Sequence, residues 1–267
     1  MREFWDKFWQ GLTDTLTEKD ILYLADEIKL EYTLHLLQTM QGRISTIEVG
    51  SGSGRLSCFL ASAGYLTTCL DCSPNALRVA SNNYCLMELE GNFIMAEAES
   101  LPFRSNSFDV VLSTGLLEHF ADPQPIVNEM ARILKPGGCF ISDIVPKKLL
   151  VPYKFRSYVT AIVSGTLLRL IRQRKSNSLE YYYERRVTKR DIKCWLRSAG
   201  LQDINVFAAG VLPPPLDPPM LIPFAKQAER VYNKFVYFSK PILKRMDKTA
   251  VAELFGLYYY VHAKKPE

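Results

Sequence analysis

Nine residues, Thr46 to Gly54 with the sequence TIEVGSGSG, constrain this chain more than any others. The β-branched start reads as a short strand ending in Glu48, and Gly50, Gly52 and Gly54 then recur at every second position. Arg55 and Leu56 open an amphipathic helix, with Leu56, Phe59, Leu60 and Ala63 at helical spacing. Glycine lacks a Cβ and tolerates positive φ, so such a loop lets backbone approach a ligand closely. Its N–H groups and the positive end of the helix favour a negative group there. The same glycines also fit a tight strand-to-helix turn that binds nothing.

The next hundred residues bear on that choice. From 45 to 145 strand-like and helix-like stretches alternate, the signature of an α/β fold with a parallel sheet and helices on both faces. The spacing predicts strands at Tyr65–Leu70, Asn92–Met95, Phe108–Ser113 and Cys139–Ile144. Ser73-Pro74 and Asp122-Pro123 start the intervening helices, and Lys135 to Gly138 form a turn. Asp71 closes the second strand, 21 residues after Gly50. In open α/β sheets ligands sit beyond the carboxyl ends of the strands. A carboxylate there is suited to accept the two hydroxyls of a ribose, or serves as a turn residue. The dinucleotide fingerprint GxGxxG fails, because Arg55 stands three positions after Gly52.

At this point the chain resembles the class I S-adenosylmethionine-dependent methyltransferases, in the broad group labelled type 11. The resemblance rests on EVGSGSG, on Leu70-Asp71, on Ala96 to Phe103 followed by Ser107-Phe108-Asp109, on Leu116 to Phe120, and on Leu134 to Gly138. Together these motifs cover residues 44–145. The resemblance implies a Rossmann-like class I methyltransferase fold, a mostly parallel sheet flanked by helices with helical cap insertions. It implies S-adenosyl-L-methionine as cofactor, with Glu48, Gly50, Ser51, Gly52, Gly54, Asp71, Cys72, Glu97, Ala98, Thr114 and Gly115 as the residues that bind it. The glycine loop would receive the methionine end and Asp71 the ribose hydroxyls. Glu97 and the Ala98 backbone would meet the adenine edge, with Leu101 on the ring. Glu97 departs from the Asp more usual there. His119, one of three histidines, stands just past the fourth strand. It reads as a substrate-positioning group or general base, or as a hydrogen bond that orients a helix. His35 and His262 read as core or surface residues.

The remaining segments carry a different signal. Net charge is −9 over residues 1–145 and +14 over 146–267. The implied organisation is N-terminal helices over 1–44, a cofactor-binding core over 45–145, and a basic helical cap over 146–186. The C-terminal part of the fold follows over 187–267, with a proline-rich and helical insertion at 208–253. The N-terminal helices carry Trp5, Phe8, Trp9 and Leu12 on one face, then a longer helix over 18–41 with Thr17 and Asp20 as a capping pair. Residues 188–199 read as an amphipathic helix, 224–246 as one basic amphipathic helix, and Leu257–Ala263 as the last strand. Tyr153 and Tyr158, in the cap, are candidates for contact with the substrate.

These features favour a small-molecule acceptor of apolar or lipid-like character, with peripheral membrane contact through the basic amphipathic segments. An RNA or protein acceptor engaged by the basic half is the alternative. Ser113 to Leu116 lacks the Asn/Asp-Pro-Pro-aromatic run of amino-methylating nucleic-acid enzymes, so nucleic acid is less favoured. A non-catalytic protein of the same fold is a third reading, opposed by the intact glycine loop and Asp71. Six scattered cysteines give no disulfide framework, and Cys69-Leu-Asp-Cys72 lacks the second pair a zinc ribbon needs, so no metal is expected. No apolar run reaches the ~18 residues of a membrane span. The first twelve residues mix charge with aromatics, so a cytoplasmic protein is expected, at most peripheral to a membrane surface.

Overall fold

The computed structural model describes residues 2–16, 21–146, 187–211 and 225–267. The cap over 146–186, with Tyr153 and Tyr158, therefore lies outside the described residues apart from Pro146. So do the proline-rich stretch at 212–224 and the Thr17–Asp20 capping pair.

In chain order the described elements are α1 (Arg2–Trp9), α2 (Ile21–Leu37), β1 (Ser45–Val49), α3 (Arg55–Ser62), β2 (Leu66–Asp71), α4 (Pro74–Leu86) and β3 (Asn92–Met95). They continue with β4 (Phe108–Thr114), a 3-10 turn (Leu117–His119), α5 (Gln124–Ile133), β5 (Leu134–Ile144), α6 (Lys189–Ser198) and β6 (Gln202–Ala209). The last are α7 (Ala225–Phe238), α8 (Lys240–Arg245), α9 (Ala250–Phe255) and β7 (Tyr258–Lys264). The strands form one sheet in the order β3-β2-β1-β4-β5-β7-β6. The first five run parallel, while β7 lies antiparallel between β5 and β6. The winding direction reverses between β1 and β4, so a crevice opens beyond their carboxyl ends.

Both faces of the sheet are buried, which explains the near-continuous apolar strands. Alternation sorts the side chains. Val111, Phe140, Ile144 and Val261 enter one core with α5 and α6. Val110, Leu112, Ile141, Tyr258 and Tyr260 enter the other with Leu24, Ala25 and Ile28 of α2. A buried ionic link ties α2 to the end of β5. Lys29 Nζ lies 3.1 Å from both Asp26 Oδ1 and Asp143 Oδ2, and Arg55 of α3 joins at Asp26 Oδ2. Burial works against both charges of the Lys29–Asp143 pair and raises the Asp143 pKa. At Lys29 the two carboxylates outweigh burial, and its pKa is raised as well. We take the pair as ionised because Lys29 has a carboxylate oxygen on each of two sides.

Two sequence expectations change, and one helix is added. The basic helix over 224–246 is two helices, broken at Ser239 because Pro241 has no N–H to continue the ladder and sits in the first turn of α8. The Lys135–Gly138 turn is an irregularity inside β5, where pairing with β4 jumps from Phe108↔Leu134 to Val110↔Cys139. Helix α9 escapes a periodicity search because it is six residues long and buries only Ala252.

Candidate active site

The crevice holds a cavity of ≈ 310 Å³. Its wall brings together Gly50, Ser51 and Gly52 from the loop, and Asp71 and Cys72 from the end of β2. Glu97 and Ala98 follow β3, Thr114 ends β4 with Gly115 after it, and His119 lies beyond them. Each arrives there for a local reason. Gly50 and Gly52 have φ of +68° and +51°. A Cβ on Gly50 would stand 2.5 Å from Leu116 Cδ1, and one on Gly52 2.8 Å from Trp9 Cζ2. A side chain at either position would have to displace Leu116 or Trp9 and hold a positive φ, which glycine adopts without strain.

Asp71 is buried and fixes the loop: Oδ2 accepts from Gly52 N at 2.9 Å and Oδ1 from Ser73 N at 2.9 Å. Burial raises its pKa, opposed by these backbone donors. A carboxylate offers about four lone-pair sites, so capacity remains for hydroxyl donors from the cavity. Ser51 Oγ is buried without a hydrogen-bond partner. Together, an unsatisfied hydroxyl, an acidic strand end and a glycine cradle fit a polar, sugar-bearing ligand.

Two of the residues assigned to the cofactor do not line the cavity. Glu48 is buried behind the loop, and its Oε2 accepts from Ser57 N at 3.1 Å and Ser57 Oγ at 2.6 Å. Its Oε1 accepts from Thr114 Oγ1 at 2.7 Å. Gly54, the N-cap of α3, has no side chain to satisfy the first N–H groups, so Glu48 supplies the missing acceptor from β1. Burial pushes the Glu48 carboxyl up to about 7. Gly54 instead allows close packing, since a Cβ there would lie 2.9 Å from Cys69 Sγ and 3.0 Å from Ala80 Cβ. Leu101, expected on the adenine ring, is buried in the core beside α5. Glu97 does line the wall.

His119 is nearly buried and its ring lies 5.1 Å from that of Trp5. Its neighbour Glu118 accepts from Val145 N at 3.0 Å, and burial pushes that carboxyl up to about 8. Glu118 thereby ties the turn after β4 to the end of β5. His35 is exposed and His262 lies on β7, neither at the cavity.

Sequence reasoning missed one wall altogether. Arg2, Trp5 and Trp9 of α1 face the cavity. The expected apolar face of α1 is split, since Phe8 is 55% exposed. Asp6 holds the helix to α4, accepting from Ser73 Oγ at 2.8 Å and Asn75 N at 3.1 Å. Arg78 Nη2 donates to Leu12 O at 2.9 Å, and Asn82 Nδ2 to Thr13 O at 2.7 Å. A periodicity search finds the stripe but not its partner. The aromatic content of α1 was the available signal.

Strand order, glycine loop and acidic second strand end define a Rossmann-like class I methyltransferase, and the chain is an S-adenosylmethionine-dependent enzyme of this class. Residues 47–142 match the family model described as a methyltransferase domain, and the chain carries that domain. It is similar to proteins named ubiquinone biosynthesis O-methyltransferase. The Coxiella burnetii protein is 26% identical over 186 residues, 69% of this chain and 74% of the relative. That of Xanthomonas axonopodis pv. citri is 27% identical, over 68% and 71%. Among solved structures, a Thermotoga maritima S-adenosylmethionine-dependent methyltransferase aligns with a TM-score of 0.55 at 17% identity, over 98% of this chain and 99% of that one. A Haemonchus contortus phosphoethanolamine N-methyltransferase in complex with S-adenosylmethionine aligns at 0.55 and 19%, over 90% of this chain and 52% of its own. These two show the fold.

Proposed function

We propose that the protein methylates a hydroxyl oxygen of a small, largely apolar acceptor. The observation that carries this is the cavity itself: it combines the glycine cradle and Asp71 with Leu116, His119, Phe120, Trp5 and Trp9. The names of the relatives, which are O-methyltransferases of ubiquinone biosynthesis, support the same acceptor class.

When bound, S-adenosylmethionine supplies an electrophilic methyl on a positively charged sulfur. The chain's own residues bind, orient and exclude water. In this reading the glycine loop and Ser51 Oγ receive the methionine carboxylate, and the Thr114–Gly115 backbone takes its amino group. Asp71 accepts from the ribose hydroxyls, while Glu97 and the Ala98 backbone meet the adenine edge beside Cys72. Glu48 and Gly54 act from behind, by fixing the loop and the start of α3. His119 faces the acceptor, where an imidazole nitrogen orients the hydroxyl or takes its proton. Orientation and exclusion of water supply much of the rate in such transfers. Tyr153 and Tyr158, outside the described residues, remain proposed acceptor contacts.

Peripheral membrane contact belongs to the same proposal. Val231, Phe235, Phe238 and Ile242 form an exposed apolar stripe along α7 and α8, beside exposed Lys234 and Arg245. No helix of the described residues is long and apolar enough to cross a membrane.

The test is a labelled methyl-transfer screen over quinone-type phenols, other lipid-like hydroxyls, amines, RNA and protein, with mass analysis of the products. O-methylated phenol or lipid is expected. Label appearing only on RNA or protein would replace this acceptor class with the alternative. Flotation with liposomes of graded anionic content tests the surface reading.

A further inference from the structure

The two tryptophans of α1 stand at one end of the cavity. Trp9 lies against the loop, its ring where a Cβ of Gly52 would be. Trp5 lies against His119. The loop residues Gly50 to Ser53 and the turn residues Leu116 and His119 share the wall with the two tryptophans, as does Arg2 of the same helix. The acidic residues of the wall are Asp71, Glu97 and Glu99, which come from the end of β2 and the loop after β3. Asp71 reaches the loop through Gly52 N, so a cation held near the glycine loop meets that carboxylate and, from α1, the two indoles. Indole is the aromatic system that attracts a cation best.

We propose that Trp5 and Trp9 recognise the methyl donor by its charge. They favour the sulfonium of S-adenosylmethionine over the neutral thioether of its demethylated product. The proposal rests on the reading that the glycine loop receives the methionine end. It gives α1 a specific task. The helix has no buried residue and stands on α4 through polar contacts made by Asp6 and Arg78. Its place in the fold follows from the cavity it covers rather than from a core it completes. The preference also has a direction that serves turnover, because the charge disappears when the methyl group leaves and the product is then held less tightly.

The experiment is calorimetric titration of S-adenosylmethionine and of S-adenosylhomocysteine, without acceptor, into the full chain and into Trp5→Leu, Trp9→Leu, Trp5→Phe, Trp9→Phe and Arg78→Ala. The leucine variants are expected to lower the donor-to-product affinity ratio by about three- to tenfold. The phenylalanine variants should keep most of it, and Arg78→Ala should weaken both ligands together. Should a leucine variant not fold, the double variant Trp5→Phe/Trp9→Phe decides the matter: a measurable fall in the ratio is expected because phenylalanine attracts a cation less well, and an unchanged ratio overturns the proposal. A ratio that changes as much in Arg78→Ala as in the Trp variants overturns the proposal. So does an unchanged ratio in both leucine variants, or an equal loss for both ligands. Wild-type protein that binds neither ligand would overturn the cofactor reading, and this proposal with it.

Discussion

Helices α1 and α7 carry the same kind of sequence, aromatic residues on one stripe with charges between, and the fold uses them in opposite ways. Trp5 and Trp9 turn into the cavity and become part of its wall. Phe235 and Phe238 point outward, at 67% and 86% exposure. The polar residues reverse as well. Asp6 of α1 reaches α4, whereas Lys240 and Lys244 of α8 reach back to Glu27 and Glu31 of α2. Amphipathic periodicity therefore identifies which residues share a face, but not whether that face meets a ligand, a neighbour or solvent.

The largest effect should come where the cavity side of this contrast is anchored. Asp71→Ala removes the acceptor that holds Gly52 N and frees a side of the wall. S-adenosylmethionine affinity, measured calorimetrically, should fall about tenfold to a hundredfold, equivalent to roughly 1–3 kcal/mol for a charge-assisted bond. Affinity within twofold of wild type would mean that Asp71 serves the turn alone.

A second effect comes from the buried carboxylate behind the loop. The Glu48 carboxyl lies near 7 in the folded chain against an ordinary 4.5. Between those values the folded state holds the proton that the unfolded state has lost, so stability falls as pH rises through that window. The loss is at most about 3 kcal/mol at 1.36 kcal/mol for each pH unit. Glu48→Gln should make the fall of urea-unfolding free energy between pH 4.5 and 7 shallower, leaving the part that Glu118 contributes from pH 4.5 to 8. An unaltered slope in the variant would count against a protonated Glu48.

Smaller effects separate the two helices directly. Arg78→Ala should speed amide exchange in residues 2–9 severalfold while barely moving the melting temperature, because α1 completes no core. Phe238→Asp should change unfolding free energy by no more than about 0.5 kcal/mol, as exposed positions do. Its readout is vesicle flotation at low salt, which should decline. Unchanged flotation would leave the α7 stripe as plain surface and sharpen the contrast with α1.

The residues explain which parts of this protein were legible in the chain. The first five strands, the glycine loop, Asp71 and the Ser73-Pro74 helix start were readable because each is set by short-range physics. A parallel strand buried on both faces needs an apolar run. A loop closing on a ligand needs glycine. A helix start needs a cap, and Ser73 Oγ does accept from Ala76 N. Glu48 was misread for the same reason that made it visible. An acidic residue at a strand end looks alike whether its carboxylate faces the cavity or turns back to Ser57. Only the packing of α3 across β1, with a cap position that lacks a side chain, decides between them. The break at Ser239 was within reach of the sequence, through Pro241, and was overridden by a continuous basic pattern.

The sequence by itself determined the α/β class, the crevice end of the sheet and the cofactor, because these depend on residues close together along the chain. Tertiary structure alone decided that Trp5 and Trp9, more than forty positions from the loop, form its roof, and that Phe235 and Phe238 do not roof anything among the described residues. Contacts of that separation are fixed by how whole helices dock, and docking follows the summed shape and charge of two surfaces rather than the pattern of either one.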